Sequence, residues 1–262
     1  MSIRRMAFQS EELQSFLGRF ETLNLYPNYI CRKTPESLAT ICQTDEIQGA
    51  LFDGPGYKLY ESCAQWIVAT SGEVAKLLLN DALERSREWD IEIPQTLLST
   101  SELASFPVQF GVDLLMELNW SRFSLAPMPR GAEMGLLHRD SPLLEFADAW
   151  VFDRTGPIKH WGPESPMCVL LSDKKIVACC EALVSDSFRA SLGQVSTREE
   201  FRGRGYAKAL ISHFCLLLKE RNLTPYYLVS SANTASVKLA ESIGFQTVST
   251  FFCVTPDAKE KS

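Results

Sequence analysis

Two arginines and two glycines occur together in the run Arg202-Gly203-Arg204-Gly205-Tyr206-Ala207, called the glycine turn below. Glycine lets the backbone approach a bound anion closely because it has no Cβ. The N-terminus of a helix adds unpaired N–H groups and a partial positive charge. The run therefore predicts a phosphate-binding turn at the start of a helix. A basic turn whose glycines serve only backbone geometry explains the same residues equally well.

The segments that flank the glycine turn have the patterns of regular structure. Residues 191–197 are typical of a strand, and residues 207–220 place apolar side chains at helical spacing. A second strand is predicted over residues 226–230. It is followed by a short helix with Asn233 as its N-cap and Gly244 just beyond its end. A final strand completes the order of strand, glycine turn, helix, strand, short helix and strand.

This arrangement resembles the GNAT superfamily of acetyl-CoA-dependent N-acyltransferases. The family motif at the start of the main helix is Gln/Arg-x-x-Gly-x-Gly/Ala, which Arg202, Gly205 and Ala207 match. A second motif has an Asn, a small residue three positions later and a Gly-Phe pair after the helix. Here these residues are Asn233, Ser236, Gly244 and Phe245. The resemblance covers residues 167–254 and implies an α/β fold with a mixed sheet in the C-terminal half.

The resemblance also implies which residues would hold acetyl-CoA. The glycine turn would bind the pyrophosphate. The main chain at the end of the preceding strand would pair with the pantetheine arm, where that strand separates from its neighbour. Tyr206 would pack beside the turn, and Asn233 would contact the pantetheine or order the short helix. The implied cofactor-binding residues are Val195, Ser196, Thr197, Arg202, Gly203, Arg204, Gly205, Tyr206, Ala207 and Asn233.

The side chains that would move protons depart from the family pattern. Many members have a Tyr seven residues after the Asn, as an acid toward the thiolate, and that position is Ala240 here. Some have a Glu early in the central strand, as a base, and that position falls near Ser191. Three explanations stay open: an acceptor that is already neutral or loses its proton to water, another catalytic side chain, or CoA binding without catalysis. Among other side chains we predict Glu181 as the catalytic base, ahead of His160, Tyr226 and Tyr227.

The first half of the chain repeats this order of elements. A strand is followed by a turn at Ser71-Gly72, a long helix, a strand, a short helix and a last strand. The turn has one glycine and no arginine, so it would bind a pyrophosphate poorly. We interpret this half as a degenerate copy of the same fold that shapes one wall of the acceptor cleft. An unrelated α+β extension fits equally well. The predicted elements are helices over 10–24, 35–43 and 73–89, strands over 57–63, 65–70, 92–98 and 114–125, and a short helix capped by Ser101.

The segment 126–131 contains two prolines and a glycine and is the best linker candidate. It predicts an N-terminal α/β domain over residues 1–127 and a GNAT domain over residues 128–262. The second domain is predicted to open with a helix over 141–152 and a loop over 155–166. A hairpin over 167–184 then leads to the strand before the glycine turn.

The composition limits the classes of partner. The chain has 262 residues and a formal net charge of −6, which disfavours a nucleic-acid partner because phosphate neutralisation needs a basic surface. Without a membrane-spanning apolar run or a signal-peptide core, we expect a cytoplasmic protein with no membrane partner. The eight cysteines form no C-x-x-C pair, and only three histidines are present. We therefore expect reduced, mostly buried thiols and no metal site.

These patterns predict direct transfer of an acetyl group from acetyl-CoA to a primary amine of a small-molecule or amino-acid-like acceptor. One alternative is acyl transfer from another carrier such as aminoacyl-tRNA, which the acidic composition disfavours. The other is a non-catalytic regulatory module that binds CoA, which would explain the missing Tyr and Glu. The sequence identifies neither the acceptor nor the oligomeric state.

Overall fold

Strands and helices alternate along the chain in the computed structural model, which describes residues 1–20, 27, 38–53, 65–85, 90–155, 167–184 and 187–257. The strands are β1 (Ser2–Ala7), β2 (Leu38–Gln43), β3 (Ile47–Asp53), β4 (Gln65–Ala69), β5 (Ile91–Pro94), β6 (Val108–Leu118), β7 (Ala132–Leu137), β8 (Met167–Ser172), β9 (Lys175–Val184), β10 (Arg189–Thr197), β11 (Thr224–Ser230) and β12 (Phe245–Pro256). The helices are α1 (Glu11–Leu17), α2 (Gly72–Arg85), α3 (Thr100–Leu103), α4 (Ala149–Thr155), α5 (Tyr206–Glu220) and α6 (Thr234–Ile243), with 3-10 turns at Pro142–Phe146 and Glu199–Phe201. None of these described helices is long and apolar enough to cross a membrane.

The chain divides into two compact units. Unit 1 comprises Met1–Leu114, Ser230–Ala232 and Ser249–Ser262, and unit 2 comprises Leu115–Val229 and Asn233–Val248. The strand order is β1-β2-β3-β4-β5-β12-β6 in unit 1 and β7-β8-β9-β10-β11-β6-β12 in unit 2. Strands β6 and β12 therefore each contribute one part to each unit. The strand orders of the two units correspond position by position, from β1 with β7 to β6 with β12.

Both sheets are mixed, which confirms the predicted α/β class. Each has one parallel pair, β4 with β5 in unit 1 and β10 with β11 in unit 2, among antiparallel pairs of the described strands. The units divide the chain after Leu114, and the predicted domain boundary after residue 127 does not coincide with that division. The boundary stays a prediction of where the functional domains separate.

Unit 1 is built around α2, whose apolar stripe faces the sheet. The buried positions recur three and four residues apart, as an amphipathic helix requires. Each buried valine or leucine of the stripe contributes about 1.5–3 kcal/mol through removal from water. The stripe consists of Val74, Ala75, Leu78, Leu79, Ala82 and Leu83, and it packs against a cluster that includes Leu51, Ile67, Ile93 and Phe252.

Unit 2 has helices on opposite faces of its sheet. Cys215 of α5 lies close to Cys168 and Cys180, so α5 covers the face to which these two side chains point. Successive side chains of a strand point to opposite faces. Accordingly, α4 and its preceding 3-10 turn pack against the neighbours Val169 and Cys179 on the other face.

The structure corrects one predicted helix in the first half. The segment predicted as a helix over 35–43 forms strand β2 from Leu38 onward. Its residues Ala39, Thr40, Ile41 and Cys42 are all buried, so both faces of this strand are covered. A strand that is buried on both faces shows no polar–apolar alternation, which explains the error. Strands β1, β3 and β7 were not predicted.

Several element bounds also differ from the prediction. Ser99, and not Ser101, caps α3, because its side chain accepts a hydrogen bond from the N–H of Glu102. Strand β6 starts earlier than predicted, at Val108, and ends earlier, at Leu118. The side chain of Asn119 then accepts a hydrogen bond from the N–H of Ser121 in the turn that follows. The helix predicted over 141–152 is two pieces, Pro142–Phe146 and α4.

Several predictions are confirmed closely. The hairpin of β8 and β9 turns at Asp173-Lys174, and both residues have positive φ. Helix α6 begins at the cap Asn233 and ends before Gly244, whose φ is +118°. Helices α1 and α2 are present, and α1 ends at Leu17, earlier than predicted. The predicted strand over 57–63 and most of the predicted loop over 155–166, including His160, lie outside the described residues.

Candidate functional site

The glycine turn joins the 3-10 turn after β10 to helix α5 in unit 2. Gly203 and Gly205 have φ values of +72° and +84°, a left-handed conformation that favours glycine. A Cβ added to either residue would meet nothing within 4 Å. Gly205 is the N-cap of α5, and no side chain caps this end. The N–H groups of the first helical turn therefore face open space that an anion can occupy.

The side chains of the glycine turn support its backbone and supply charge. The Nε of Arg202 donates a hydrogen bond to the carbonyl oxygen of Thr197 at 3.2 Å. Tyr206 is buried and meets the Phe201 ring edge-on, with the centroids 5.3 Å apart. The guanidinium of Arg204 lies 5.8 Å from the centroid of the same Phe201 ring. Both arginines are exposed, so their charges are available to an anion.

Strand β10 is irregular just before the glycine turn. Its register against β9 shifts between Gly193 and Ser196, and Gln194 has a φ of +50°. Such a bulge inserts one extra residue and redirects the main-chain groups around it. Val195 and Ser196 lie in or beside the bulge and are half-buried. This places the main chain of two predicted cofactor-binding residues at an interrupted part of the ladder.

Strands β10 and β11 separate at the same level. Their parallel pairing ends at Leu192 with Tyr227, although β10 continues to Thr197 and β11 to Ser230. The Oγ1 of Thr197 is buried and makes no hydrogen bond to any residue that the structure describes. An extended ligand in this gap would face main chain of β10 that β11 does not pair. The gap lies beside the glycine turn, where the sequence predicts a pantetheine arm along β10.

Asn233 lies at the start of α6, as predicted. Its Oδ1 accepts a hydrogen bond from the N–H of Ser236 at 3.2 Å, and its side chain is exposed. The hydroxyl of Tyr227 also contacts Ser236, and burial raises the pKa of Tyr227 to about 12. Tyr227 is therefore protonated at neutral pH. Ala240, at the usual Tyr position of the family, is buried.

The corresponding turn of unit 1 is closed. A Cβ at Gly72 would collide with the carbonyl oxygen of Leu97, whereas the glycines at 203 and 205 face open space. The chain segment after β5 therefore occupies the space where a phosphate would have to bind. This geometry agrees with the expectation that the first copy binds pyrophosphate poorly.

The sheet face opposite α5 carries Glu181 and Tyr226, two of the predicted catalytic side chains, whereas Tyr227 points to the face that α5 covers. Glu181 lies directly opposite Gly193, and Ser191 lies directly opposite Tyr226, so all four share one face. A Cβ at Gly193 would meet nothing within 4 Å, which leaves open space beside Glu181. Glu181 itself is only 6% exposed.

Sequence reasoning missed Glu117, on the same face of unit 2. The hydroxyl of Tyr226 donates a hydrogen bond to its Oε2 at 2.7 Å across 109 residues of sequence. Glu117 lies in an ordinary strand pattern, and only the pairing of distant strands brings it to the site. No local signal in the sequence could have identified it.

Sequence reasoning also missed Arg198, which holds α4 against the end of β10. It is 8% exposed, its Nε donates to the carbonyl of Ile176 at 2.6 Å, and Nη2 donates to the Asp148 carboxylate at 2.6 Å. Its Cζ lies 4.5 Å from the centroid of the Trp150 ring. Burial works against ionisation of Asp148, but the hydrogen bond and charge of Arg198 outweigh it and lower the pKa of this carboxyl.

The described cysteines are free thiols. Burial raises the pKa of Cys168, Cys180 and Cys215 far above the ordinary thiol value. These side chains are therefore neutral and poor nucleophiles. In unit 1, ligand atoms of Glu92, Asp113 and Cys253 lie within 4.8 Å of one another, the one possible metal-ligand group among the described residues.

Comparison with known proteins identifies the fold. Residues 167–253 match the family model described as GNAT acetyltransferase. No curated protein matches the chain in sequence. A GCN5-related N-acetyltransferase-like protein from Streptococcus suis is 18% identical, with a TM-score of 0.57 over 93% of this chain and 99% of that one.

Two further structures extend the similarity over both units. An acetyltransferase of the GNAT family from Colwellia psychrerythraea is 12% identical over 98% of this chain and 100% of that one, with a TM-score of 0.58. A tandem GNAT protein from the clavulanic acid biosynthesis pathway is 11% identical over 98% of this chain and 99% of that one, with a TM-score of 0.61. At these identities the similarity establishes the fold alone, while the family match supports acyl transfer. The chain thus has the GNAT fold over nearly its whole length, and its residues 167–253 match the GNAT acetyltransferase model.

Proposed function

We propose that this chain transfers the acetyl group of acetyl-CoA to a primary amine of a small molecule. The observation that carries the proposal is the open glycine turn beside the separated ends of β10 and β11. Gly203 and Gly205 have free space where a Cβ would stand, and the N-terminus of α5 lies directly behind them. A doubly charged pyrophosphate is the group that such a turn favours.

In this proposal the residues around the turn share the binding of acetyl-CoA. Residues 202–207 hold the pyrophosphate through N–H groups, with Arg202 and Arg204 adding charge. The main chain at Val195, Ser196 and Thr197 pairs with the pantetheine arm, and a redirected N–H of the bulge polarises the thioester carbonyl. Asn233 orders the start of α6 at the edge of the same gap.

Glu181 is the proposed proton acceptor for the amine. It takes one proton from the acceptor ammonium, and the neutral nitrogen attacks the thioester carbon. The new C–N bond forms as the C–S bond breaks, and the departing thiolate takes the second proton of the nitrogen. Glu181 then releases its proton to water. Its place beside the open space at Gly193 supports this role.

The test is calorimetric titration with acetyl-CoA together with a thiol-release assay over a panel of amines. We expect saturable binding and release of CoA with at least one amine, at a rate that salt changes little. Binding without release for every amine would favour the non-catalytic module. A salt-insensitive reaction with the free CoA thioester would exclude an aminoacyl-tRNA donor.

Glu181→Gln tests the assignment of the base. We expect kcat/KM to fall about 100-fold, because removal of a general base costs about this factor. The dependence of the rate on pH should change as well. Glu133→Gln is the matched control, since Glu133 is an exposed carboxylate on strand β7 of the same unit. Equal kinetics for the two variants would refute the role of Glu181.

A further inference from the structure

Glu117 and Tyr226 form a cross-strand pair that the proposed reaction does not use. The hydroxyl of Tyr226, 6% exposed, donates to the half-buried carboxylate of Glu117 at 2.7 Å. Among the residues that the structure describes, Glu117 has no cationic partner and makes no other hydrogen bond. A half-buried carboxylate without a counter-charge is costly, and a bound cation would remove that cost.

The pair lies on the face from which an acceptor would approach. Tyr226 is opposite Ser191, one residue before β10 and β11 separate, and shares its face with Gly193 and Glu181. Helix α5, which follows the glycine turn, packs on the other face, so the donor and the acceptor would approach the gap from opposite sides. Gly193 lies on this surface, and a Cβ added there would meet nothing within 4 Å.

The two carboxylates stand on opposite sides of strand β10. Glu181 is on β9, level with Gly193, and Glu117 is on β6, where it accepts from Tyr226, the partner of Ser191. Three spacings of neighbouring strands separate β6 from β9, which puts the two strands about 14 Å apart. Glu181 is closer to the strand separation, where the thioester would lie. Glu117 is therefore too far away to serve the same nitrogen and is placed to bind a second group.

We propose that Glu117 selects acceptors with a second positive charge, so that the acceptor is a linear diamine or a related polyamine. This inference rests on the proposed function. The reacting amine would lie near Glu181, the chain of the acceptor would cross Ser191 and Gly193, and the distal ammonium would pair with Glu117. Tyr226 holds the carboxylate in place. An acceptor with a carboxylate at its distal end would be repelled, which disfavours simple amino acids.

The test compares acceptors that differ only in the distal charge. The pairs are 1,5-diaminopentane with pentylamine and 1,8-diaminooctane with octylamine. For the wild type, we expect kcat/KM for the matching diamine to exceed that for the monoamine by about 10- to 100-fold, since a charge-assisted hydrogen bond gives discrimination of this order. Glu117→Gln should reduce this ratio to about one, mainly through a higher KM for the diamine.

Two variants separate recognition from a structural role. Tyr226→Phe keeps the carboxylate and should raise the KM for the diamine by a smaller factor. Glu133→Gln, an exposed glutamate on β7, should keep the full diamine preference. An equal loss of kcat/KM for monoamine and diamine in Glu117→Gln would overturn the inference. A wild type that does not prefer the diamine would overturn it as well.

The outcome is also distinguishable from failure of the proposed function. Absence of turnover with every amine would refute the proposed function. In that case calorimetric binding of 1,8-diaminooctane to the wild type in the presence of CoA decides the inference. Binding that Glu117→Gln weakens at least 10-fold supports it, and binding that is absent or unaffected by the substitution overturns it.

Discussion

Substitution of Gly205 by Glu places a carboxylate in the space where we propose that the pyrophosphate binds. At a separation of about 4 Å, two unit charges near a protein surface interact by about 4 kcal/mol. Screening by salt at this exposed turn reduces the repulsion to about 3 kcal/mol. We therefore expect the Kd for acetyl-CoA to rise about 100-fold, since 1.4 kcal/mol corresponds to a factor of ten.

The same substitution also strains the backbone, and a control must account for this. Gly205 has a φ of +84°, where a residue with a Cβ costs about 1–2 kcal/mol. Gly131 has a φ of +73° and equally open surroundings, but it lies in the loop between β6 and β7. Gly131→Glu thus matches the strain and the added charge while leaving the glycine turn intact.

Calorimetric titration with acetyl-CoA at two salt concentrations measures the effect. We expect Gly205→Glu to bind about 100-fold more weakly at low salt and to recover part of its affinity at high salt, whereas Gly131→Glu binds like the wild type. Urea unfolding should show similar losses of stability in both variants. Similar affinities of Gly205→Glu and Gly131→Glu would refute the assignment of the pyrophosphate site.

Two further predictions concern stability. Burial raises the pKa of Asp113, so the folded state binds its proton more tightly and loses stability as pH rises through the carboxyl range. Asp113→Asn should therefore increase the free energy of unfolding at pH 7 by about 1 kcal/mol, with a smaller gain at pH 3, in urea titrations. Arg198→Met removes hydrogen bonds of a buried guanidinium and should lower the free energy of unfolding by about 2 kcal/mol at pH 7. The loss is no larger because the half-exposed Asp148 is rehydrated in the variant. Because the pKa of Asp148 is lowered, the wild type should lose this contribution as pH falls below the usual carboxyl range; an equal cost of the substitution at pH 2 would contradict this account.

The sequence predicted the parts of the site that are local in the chain. The glycine turn, the caps of α6 and the hairpin of β8 and β9 depend on residues within a few positions of one another. Asn233 caps α6 through a hydrogen bond to a residue three positions away, and Asp173-Lys174 forms the hairpin turn by itself. Local chemistry of this kind leaves a readable pattern in one sequence.

The parts that could not be predicted depend on pairing between distant segments. Glu117 reaches the site because β6 pairs with β11, and Arg198 matters because it bonds to Asp148 fifty residues earlier. Strand β2 was not recognised because it is buried on both faces, so its sequence shows no alternation of polar and apolar residues. The irregular main chain of β10 likewise depends on its neighbours, and no side chain in the sequence marks the shift at Gly193.

The division of β6 and β12 between the two units has a consequence for biosynthesis. Unit 1 includes residues 249–262 as well as the first 114 residues. Its sheet lacks the strand between β5 and β6 until β12 has left the ribosome. Domains commonly fold in order of synthesis, the N-terminal one first. Here the first unit must wait for the last strand, with the edges of β5 and β6 exposed to chaperones and to other nascent chains in the meantime.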